Sequence, residues 1–562
     1  MLAGGIGYGK ANQSHKNTPQ KNDKIVILGG ENYRIGMGGA AVSSADTGKF
    51  SSGIELNAVQ RSNPEMQKRV ANAIRGMVES KENPIVSIHD HGAGGHLNCL
   101  SELVEETGGV IDLDKLPVGD PTLSDKEIIG NESQERMGIV ISESGIETLK
   151  KVAKRERAPF YEVGIVTDDD RFLITSKERN TTPMNLALSD MFGSSPKTIM
   201  EDQTISPNFA KVTITHQNIY ELTEQLLQLE AVGSKDWLTN KVDRCVTGRV
   251  AKQQTVGPLQ LPLNNCGVMS LDYKGKQGVA TSIGHAPVSA LIDSKAGSRI
   301  AITESLTNLI WAPLEKGLQS VTLSANWMWP CNNSGEDARL YEAVEACSNF
   351  AIALGVNIPT GKDSLSMKQK YPDDEVIAPG TVIISAAAHC NDIANVVEPV
   401  FQKEKQSIYY INFSQDAYKL GGSSLGQILG QIGAVTPDVK DAEFVKNAFD
   451  IVQQLIRENT ILAGHDVSSG GLITTLLEMC FADNQLGATI DLSPIKAADL
   501  AHLLFSENVG IVFQANSTAE SLLNQHFIPF HKIGNVTESN LLSIQYLEEK
   551  LEFDIAKYRD IW

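Results

Sequence analysis

The sequence predicts an α/β protein with α+β character, built from two copies of one module flanking a different one. Three observations carry that expectation. His89-Asp90-His91-Gly92-Ala93-Gly94-Gly95 returns 376 positions later as His465-Asp466-Val467-Ser468-Ser469-Gly470-Gly471, and six of the fifteen columns from His89 to Leu103 match, Glu102 against Glu478 among them. Upstream, Gly38-Gly39-Ala40-Ala41 is echoed by Gly421-Gly422-Ser423-Ser424. Downstream, Glu135 with Gly138-Ile139-Val140 is echoed by Glu507 with Gly510-Ile511-Val512. Order and spacing kept together point to duplication. A period of 376 in a chain of 562 leaves half a unit. The pattern therefore reads B-A-B, an A-B-A-B plan whose first A is expected to precede it.

The first B module is assigned to residues 1–192. Ala11 to Lys24 is polar and reads as a loop before the strand Ile25-Val26-Ile27-Leu28, which Gly29-Gly30 stops. A helix from about Pro64 to Glu79, a buried strand from Ile85 to Ile88 and another from Gly138 to Ile141 follow. Residues 193–208, with Ser, Pro and polar side chains, read as a linker. The A module takes 209–393, with β-rich text at Gly267 to Leu271 and Val321 to Leu323 and a strong helix from Glu336 to Leu354. The second B module takes 394–562 and opens on the strand Ile408-Tyr409-Tyr410-Ile411.

Composition narrows the function classes. With 41% hydrophobic and 21% charged residues, the chain has the balance of a globular protein of about three or four domains. A net charge of −19 argues against a nucleic-acid surface, which needs clustered Lys and Arg, so any phosphate must be held locally. The seven cysteines are scattered without a C-x-x-C pair and read as reduced packing residues. Reduced cysteines give a cytoplasmic expectation, and with no signal peptide and no apolar run of ~18 residues visible, no membrane partner is expected.

Chemistry concentrates at the repeated motif. In each copy an apolar strand ends at the Asp and passes through small residues into a helix. Small residues admit a ligand to the backbone, helix N-terminal N–H groups face phosphate, and Asp90 or Asp466 is placed to hold Mg²⁺. The alternative is a tightly packed Gly pair with the Asp as an N-cap; repetition favours the ligand site. Glu304 and Asn308, four apart in the helical text from Ser298 to Ile310, share a face and could share a cation or simply form a polar face. Asn264-Asn265 could be turn formers or neutral oxygen ligands. Asn131 to Arg136 places carboxylate, hydroxyl and amide groups at a sheet rim, as ligand contacts or as solvated loop. Gly361-Lys362-Asp363-Ser364 lacks Walker spacing, Gly5 to Gly9 is not a dinucleotide fingerprint, and His89 and His465 lack a spaced second His for zinc.

Gln60 to Met66, His89 to Gly95, Asn131 to Arg136, Ser324 to Met328, Gly335-Glu336-Asp337, Gly361 to Met367 and His465 to Gly471 together resemble phosphoribosylformylglycinamidine synthase in its large fused form. The resemblance implies aminoimidazole ribonucleotide synthetase-like modules in B-A-B order. It implies ATP-dependent conversion of formylglycinamide ribonucleotide and ammonia to the amidine, through an iminophosphate, with Mg²⁺ and positioned donors doing most of the work. It makes Asp90 a Mg²⁺ ligand, Gln60, Glu132, Ser133 and Gln134 ribonucleotide contacts, and the loop carrying Lys362 and Asp363 a nucleotide-binding approach to the same cleft. A second, pseudo-symmetric ATP/ADP site falls on Asn264, Asn265, Glu304, Asn308, Asp466 and Ser468, with metal ligands at Asn265, Glu304, Asn308 and Asp466. Asn265 stands where the family usually has an acid, which should weaken metal retention.

The family's catalytic His and the ATP-gripping loop belong to the A module expected upstream, and its ammonia comes from a glutaminase domain. The chain alone is therefore expected to lack a complete site, and its single A module to expose an apolar sheet face unless it dimerises or meets the missing module. The competing reading is a structural module that binds MgADP without turnover. Single-copy relatives such as aminoimidazole ribonucleotide synthetase or selenophosphate synthetase fit B-A-B poorly.

Overall fold

The computed structural model describes residues 6–7, 9–194, 197, 199–205, 208–214, 218–242, 244–245 and 248–562. Parts of two expectations, the N-terminal segment (1–5 and 8) and the linker (195, 196, 198, 206 and 207), lie outside the described residues. The chain divides into two compact units: residues 7–199 with 368–376, and residues 200–367 with 377–562.

The first unit is built on a seven-stranded sheet in the order Ile85–Asp90, Met137–Ile141, Lys24–Leu28, Phe160–Val166, Gly109–Asp112, Arg171–Ser176, Thr181–Ala187. Ile25 to Leu28 is a continuous apolar run because both of its faces are covered. Val26 and Leu28 pack with the helices Pro64–Val78 and Ile146–Glu156, while Ile25 and Ile27 pack with the helix Gly95–Leu103. Asn63 caps the first of these helices by accepting the Met66 N–H, with Pro64 at its first position.

The second unit contains a seven-stranded sheet of the same order: Ile461–Val467, Gly510–Ala515, Ser407–Asn412, His531–Thr537, Gly487–Asp491, Leu541–Tyr546, Glu549–Asp554. Even the irregularities repeat. The register breaks between Ile85 and Ser87 in one copy and between Ile461 and Ala463 in the other, and again between Ile25 and Val26 and between Ile408 and Tyr409. The α/β fold class with an internal duplication is thus borne out. The register adds one correction to the sequence echo: His89 faces Gly138, whereas His465 faces Val512, so Gly138 is equivalent to Val512 rather than to Gly510. A slip of two keeps every side chain on its own face, so alternation alone could not detect it.

Within the same unit, residues 250–390 form a six-stranded sheet in the order Asn357–Ser364, Thr322–Met328, Thr381–Cys390, Gly278–His285, Gly267–Ser270, Val250–Lys252. One face, with Ala280, Leu323, Ala325, Val382, Ile384 and Ala386, is buried against the helices Ser294–Leu309 and Glu336–Leu354. The other presents half-buried Val279, Thr281, Ile283, Ile383, Ser385 and Ala387, a mixture of aliphatic and hydroxyl groups. Trp311, just beyond the helix Ser294–Leu309, is fully buried and fills the space a Cβ on Gly464 would need, which packs the end of that helix against the strand that carries His465 and Asp466. Gln453 fixes the same junction, accepting the Leu314 N–H at 2.8 Å and donating to the Ala312 carbonyl at 2.9 Å.

Candidate functional site

Each copy of the repeat builds one corner from the same parts. The strand runs through His and Asp to its end, and the chain then turns on two glycines of positive φ, Gly94 (74°) and Gly95 (57°) in the first copy and Gly470 (89°) and Gly471 (70°) in the second. These are left-handed conformations that glycine adopts without a Cβ penalty. The helix that follows is capped by that glycine, with no side chain serving as N-cap. Neither aspartate is therefore the cap, and the carboxylates are left for other partners.

A glutamate, buried in the first copy and half-buried in the second, ties each turn to a neighbouring loop. Glu132 accepts the N–H of Ala40 at 3.1 Å and of Gly94 at 3.2 Å. Glu507 accepts those of Ser424 and Gly470, both at 2.8 Å. Glu132 and Glu507 are thus the functional equivalents, although the sequence echo paired Glu507 with Glu135. Glu135 instead reaches Arg61 at 3.3 Å and the hydroxyl of Ser133.

In the first copy, Asp90 is exposed at the strand end and His89 meets Glu102 at 3.0 Å. Gln60 is brought directly to Gln134, its side-chain oxygen accepting the Gln134 N–H at 3.0 Å. Gln134 is exposed, whereas Glu132 and Ser133 are buried and engaged within the corner. Arg61 lies over the Tyr33 ring, 4.7 Å from its centroid.

In the second copy Asp466 is buried, with only 4% of its surface exposed. Its carboxylate lies 3.2 Å from Nδ1 of His465 and accepts from the Asn308 amide at 3.3 Å. Asn265 clamps this strand: its Oδ1 lies 2.5 Å from His465 Nδ1 and its amide donates to the Gly464 carbonyl at 2.9 Å. Asn264 accepts the Asn265 N–H and donates to the Gln253 carbonyl, so both asparagines pin this turn in place. Glu304 is half-buried and accepts the His285 N–H at 2.7 Å, which rules out a freely solvated helix face.

The electrostatics follow from crowding of these groups. Burial pushes Glu304 up to about 8, with the Asp466 and Glu507 charges adding to it and the His285 N–H opposing. Burial works against a charged His465, but hydrogen bonds and charge from Asp466 and Glu478 override it and hold His465 at about 9. Asp466 in turn stays below the usual carboxylate range despite its burial, because His465 and Ser468 bond to it.

The structure thus gathers Asn264, Asn265, Glu304, Asn308, Asp466 and Ser468 at one place, and Gln60, Glu132, Ser133 and Gln134 at another. Lys362 and Asp363 are exposed on the edge strand Asn357–Ser364, across the six-stranded sheet from Asn265. Sequence reasoning missed the Glu132 and Glu507 clamps and the His–Glu pairs; the matched column of Glu102 and Glu478 was the available signal. No group of three His, Cys, Asp or Glu side chains is poised to cage a metal among the described residues. The oxygen-rich sets fit a hard cation that takes its remaining ligands from phosphate and water.

Comparison with known proteins agrees with this construction. Residues 234–389 match the FGAR-AT PurM_N-like domain. Residues 20–177 and again 416–546, together about half of the chain, match the C-terminal domain of AIR synthase related proteins. The chain is 40% identical over 534 residues to human phosphoribosylformylglycinamidine synthase, covering 92% of this chain and 40% of that one. It is 38% identical over 570 residues to the Dictyostelium discoideum enzyme of the same name, covering 96% and 42%. It spans about two fifths of the length of these curated relatives. In fold it is similar to T. maritima PurL complexed with FGAR, with a TM-score of 0.63 and 19% identity over 93% of this chain and 73% of that one. The chain belongs to the AIR synthase related family, whose C-terminal domain it carries twice.

Proposed function

We propose that the chain supplies part of the synthetase that converts formylglycinamide ribonucleotide, ATP and ammonia to formylglycinamidine ribonucleotide in purine biosynthesis. The observation that carries this reading is the 38–40% identity to enzymes of that name across nearly the whole chain. The corner formed by Gln60, Ser133 and Gln134 is read as the ribonucleotide site, with Asp90 beside it holding Mg²⁺. Glu132 acts from within, fixing the Gly94 and Ala40 amides that line the turn. Lys362 and Asp363 are assigned to nucleotide binding. The cation, when bound, neutralises polyphosphate charge.

The partner that donates ammonia is a glutaminase domain. The half-buried face of the six-stranded sheet, with Val279, Ile283 and Ile383, is assigned to a second module of the same kind, either upstream in a longer protein or in a second copy. A cytoplasmic address belongs to the same reading, on the strength of the scattered, unpaired cysteines.

The test combines this chain with the remaining segments of a relative such as the human enzyme and follows ATP- and ammonium-dependent amidine formation. Turnover that depends on this chain and disappears in Asp90→Ala, with an unchanged melting curve, is the expected result. Full activity of Asp90→Ala removes the metal role, and failure of this chain to bind formylglycinamide ribonucleotide removes the substrate.

A second reading is favoured by one feature: the Asp466 cluster lies within one unit and its groups are already bonded to one another. Such a preformed, closed site suits a nucleotide retained for structure. Tight MgADP binding without hydrolysis, lost in Asp466→Ala, would assign that role.

A further inference from the structure

The corner that carries Gln134 rests on an unusual foundation. Arg136 is fully buried (0% exposed), and its Nη2 donates to both the carbonyl and the side-chain oxygen of Asn131, at 2.8 and 2.7 Å. Its Nη1 bonds the Asn32 side chain and lies 2.9 Å from Nε2 of His96. No carboxylate forms an ion pair with it among the described residues; the adjacent Glu135 pairs with Arg61 instead. Among the described residues, Arg136 Nε and both ring nitrogens of buried His91 have no hydrogen-bond partner. Burial holds His91 and His96 well below the usual imidazole range, with the Arg136 charge adding to it, and lowers Arg136 itself to about 10.

A buried, unpaired cation is an expensive way to build a core, and the second copy of the module does without it. By the strand register and the repeat, His91, His96 and Arg136 correspond to Val467, Leu472 and Gly510. The same turn therefore folds over an apolar floor, and the fold does not require the charge. In the first copy the charge lies beneath the Asn131 to Gln134 turn, whose counterpart in the second copy is packed against Gly471 without it. The first-copy turn is gripped from above as well: a Cβ on Gly95 would collide with the Asn131 backbone, and one on Gly36 with the Glu132 carbonyl.

We infer that Arg136 is a positioning residue for the ribonucleotide site, its two-pronged grip on Asn131 holding the turn that carries Glu132, Ser133 and Gln134. The inference rests on the reading of that turn as the substrate corner. A planar guanidinium can hold the carbonyl and the side-chain oxygen of one residue at once; an ammonium cannot reproduce that geometry.

The test uses the full chain with two variants. His91→Val/His96→Leu/Arg136→Leu makes the floor apolar, with the second module's residues at the first two positions and a leucine filling the space of the third, and Arg136→Lys keeps the charge without the fork. Amide exchange is read at Glu132 and Ser133, whose N–H groups donate to Gly36 and His91 carbonyls at 2.8 and 2.9 Å. Binding of formylglycinamide ribonucleotide and, as an internal control, of MgADP is measured by calorimetry. The triple variant is expected to melt within a few degrees of the parent, while exchange at the turn accelerates and ribonucleotide affinity falls, each by about tenfold or more. MgADP binding stays unchanged, and Arg136→Lys rescues neither defect. Unchanged exchange and affinity in a folded triple variant overturn the inference, as does full rescue by Lys; should the triple variant not fold, Arg136→Lys decides on the same readouts. A parent chain that binds no ribonucleotide overturns the functional reading alone, because exchange at the turn still decides the role of Arg136.

Discussion

Glu478 holds Nε2 of His465 at 3.0 Å from its carboxylate, and the first copy pairs Glu102 with His89 at the same separation, through Nδ1 of the ring. In the second copy the histidine also contacts Asp466 and is held at about 9. A folded-state value above the unfolded 6.5 means that the protonated ring stabilises the fold fully below about 6.5, and that this stability is lost as pH rises through about 9. Glu304, pushed to about 8, acts in the same direction, because its protonated form is the one the fold favours. The magnesium-free chain should therefore lose on the order of 1–3 kcal/mol between pH about 6.5 and 9. Urea titrations across that range measure it, and Glu478→Gln should flatten the slope. A level profile in the parent protein would show that neither a charged His465 nor a protonated Glu304 is favoured by the fold.

The glycine turns set a second expectation. Gly471 has a φ of 70°, and a Cβ there would lie 2.7 Å from the Leu504 carbonyl oxygen and 2.8 Å from that of Ser506. Gly471→Ala combines backbone strain with a collision against main chain that cannot swing away, and should cost about 2 kcal/mol or more. Gly355 has a φ of 76° but open space around it, so Gly355→Ala carries the strain without the collision. Thermal melts should rank Gly471→Ala clearly below Gly355→Ala; equal losses would mean that the close approach is relieved.

The glutamate clamp gives a third. Removing Glu507 leaves the N–H groups of Ser424 and Gly470 without their acceptor in a buried place, at about 1–3 kcal/mol each. Burial already raises Glu507 above the ordinary carboxylate range, so the charge itself contributes little. Glu507→Gln, which keeps one acceptor oxygen, should therefore retain most of the stability that Glu507→Ala loses. If the two variants melt alike, the clamp is not the source of the stability.

Much of this was legible in the chain, and the rest was hidden for identifiable reasons. The helix from Glu336 to Leu354 lies where the helical text placed it, and the strand of Ile25 to Leu28 where its unbroken apolar run did. The two Asp-bearing corners could be found because their glycines and acids recur in order. The equivalence of Gly138 with Val512 could not, since a two-residue slip leaves the in-and-out pattern intact. Glu132 was visible as a polar residue near a sheet rim, but its task depends on Ala40 and Gly94, which are distant in sequence and contribute only backbone. The Asn32, His96 and Arg136 cluster is the extreme case: three ordinary polar residues, far apart in the chain, buried together against the usual rule that such groups face water.

Asn265 supplies the last expectation, because its amide performs two opposite tasks. Its oxygen meets His465 Nδ1 at 2.5 Å and its nitrogen donates to the Gly464 carbonyl at 2.9 Å. In Asn265→Asp the contact with His465 survives and strengthens, but the donor facing Gly464 is replaced by an acceptor facing an acceptor. The new charge also joins Asp466 and Glu304 in a crowded acidic set. Without metal, the variant should lose roughly 1–3 kcal/mol. A divalent cation reverses the balance, since a third anionic oxygen ligand favours it and neutralises the repulsion. Melting temperatures with and without magnesium and ADP should therefore cross: Asn265→Asp below the parent in their absence, and with a larger upward shift in their presence. If the shift equals that of the parent chain, the Asn265 side chain does not face the cation and its role is confined to pinning the strand of His465 and Asp466.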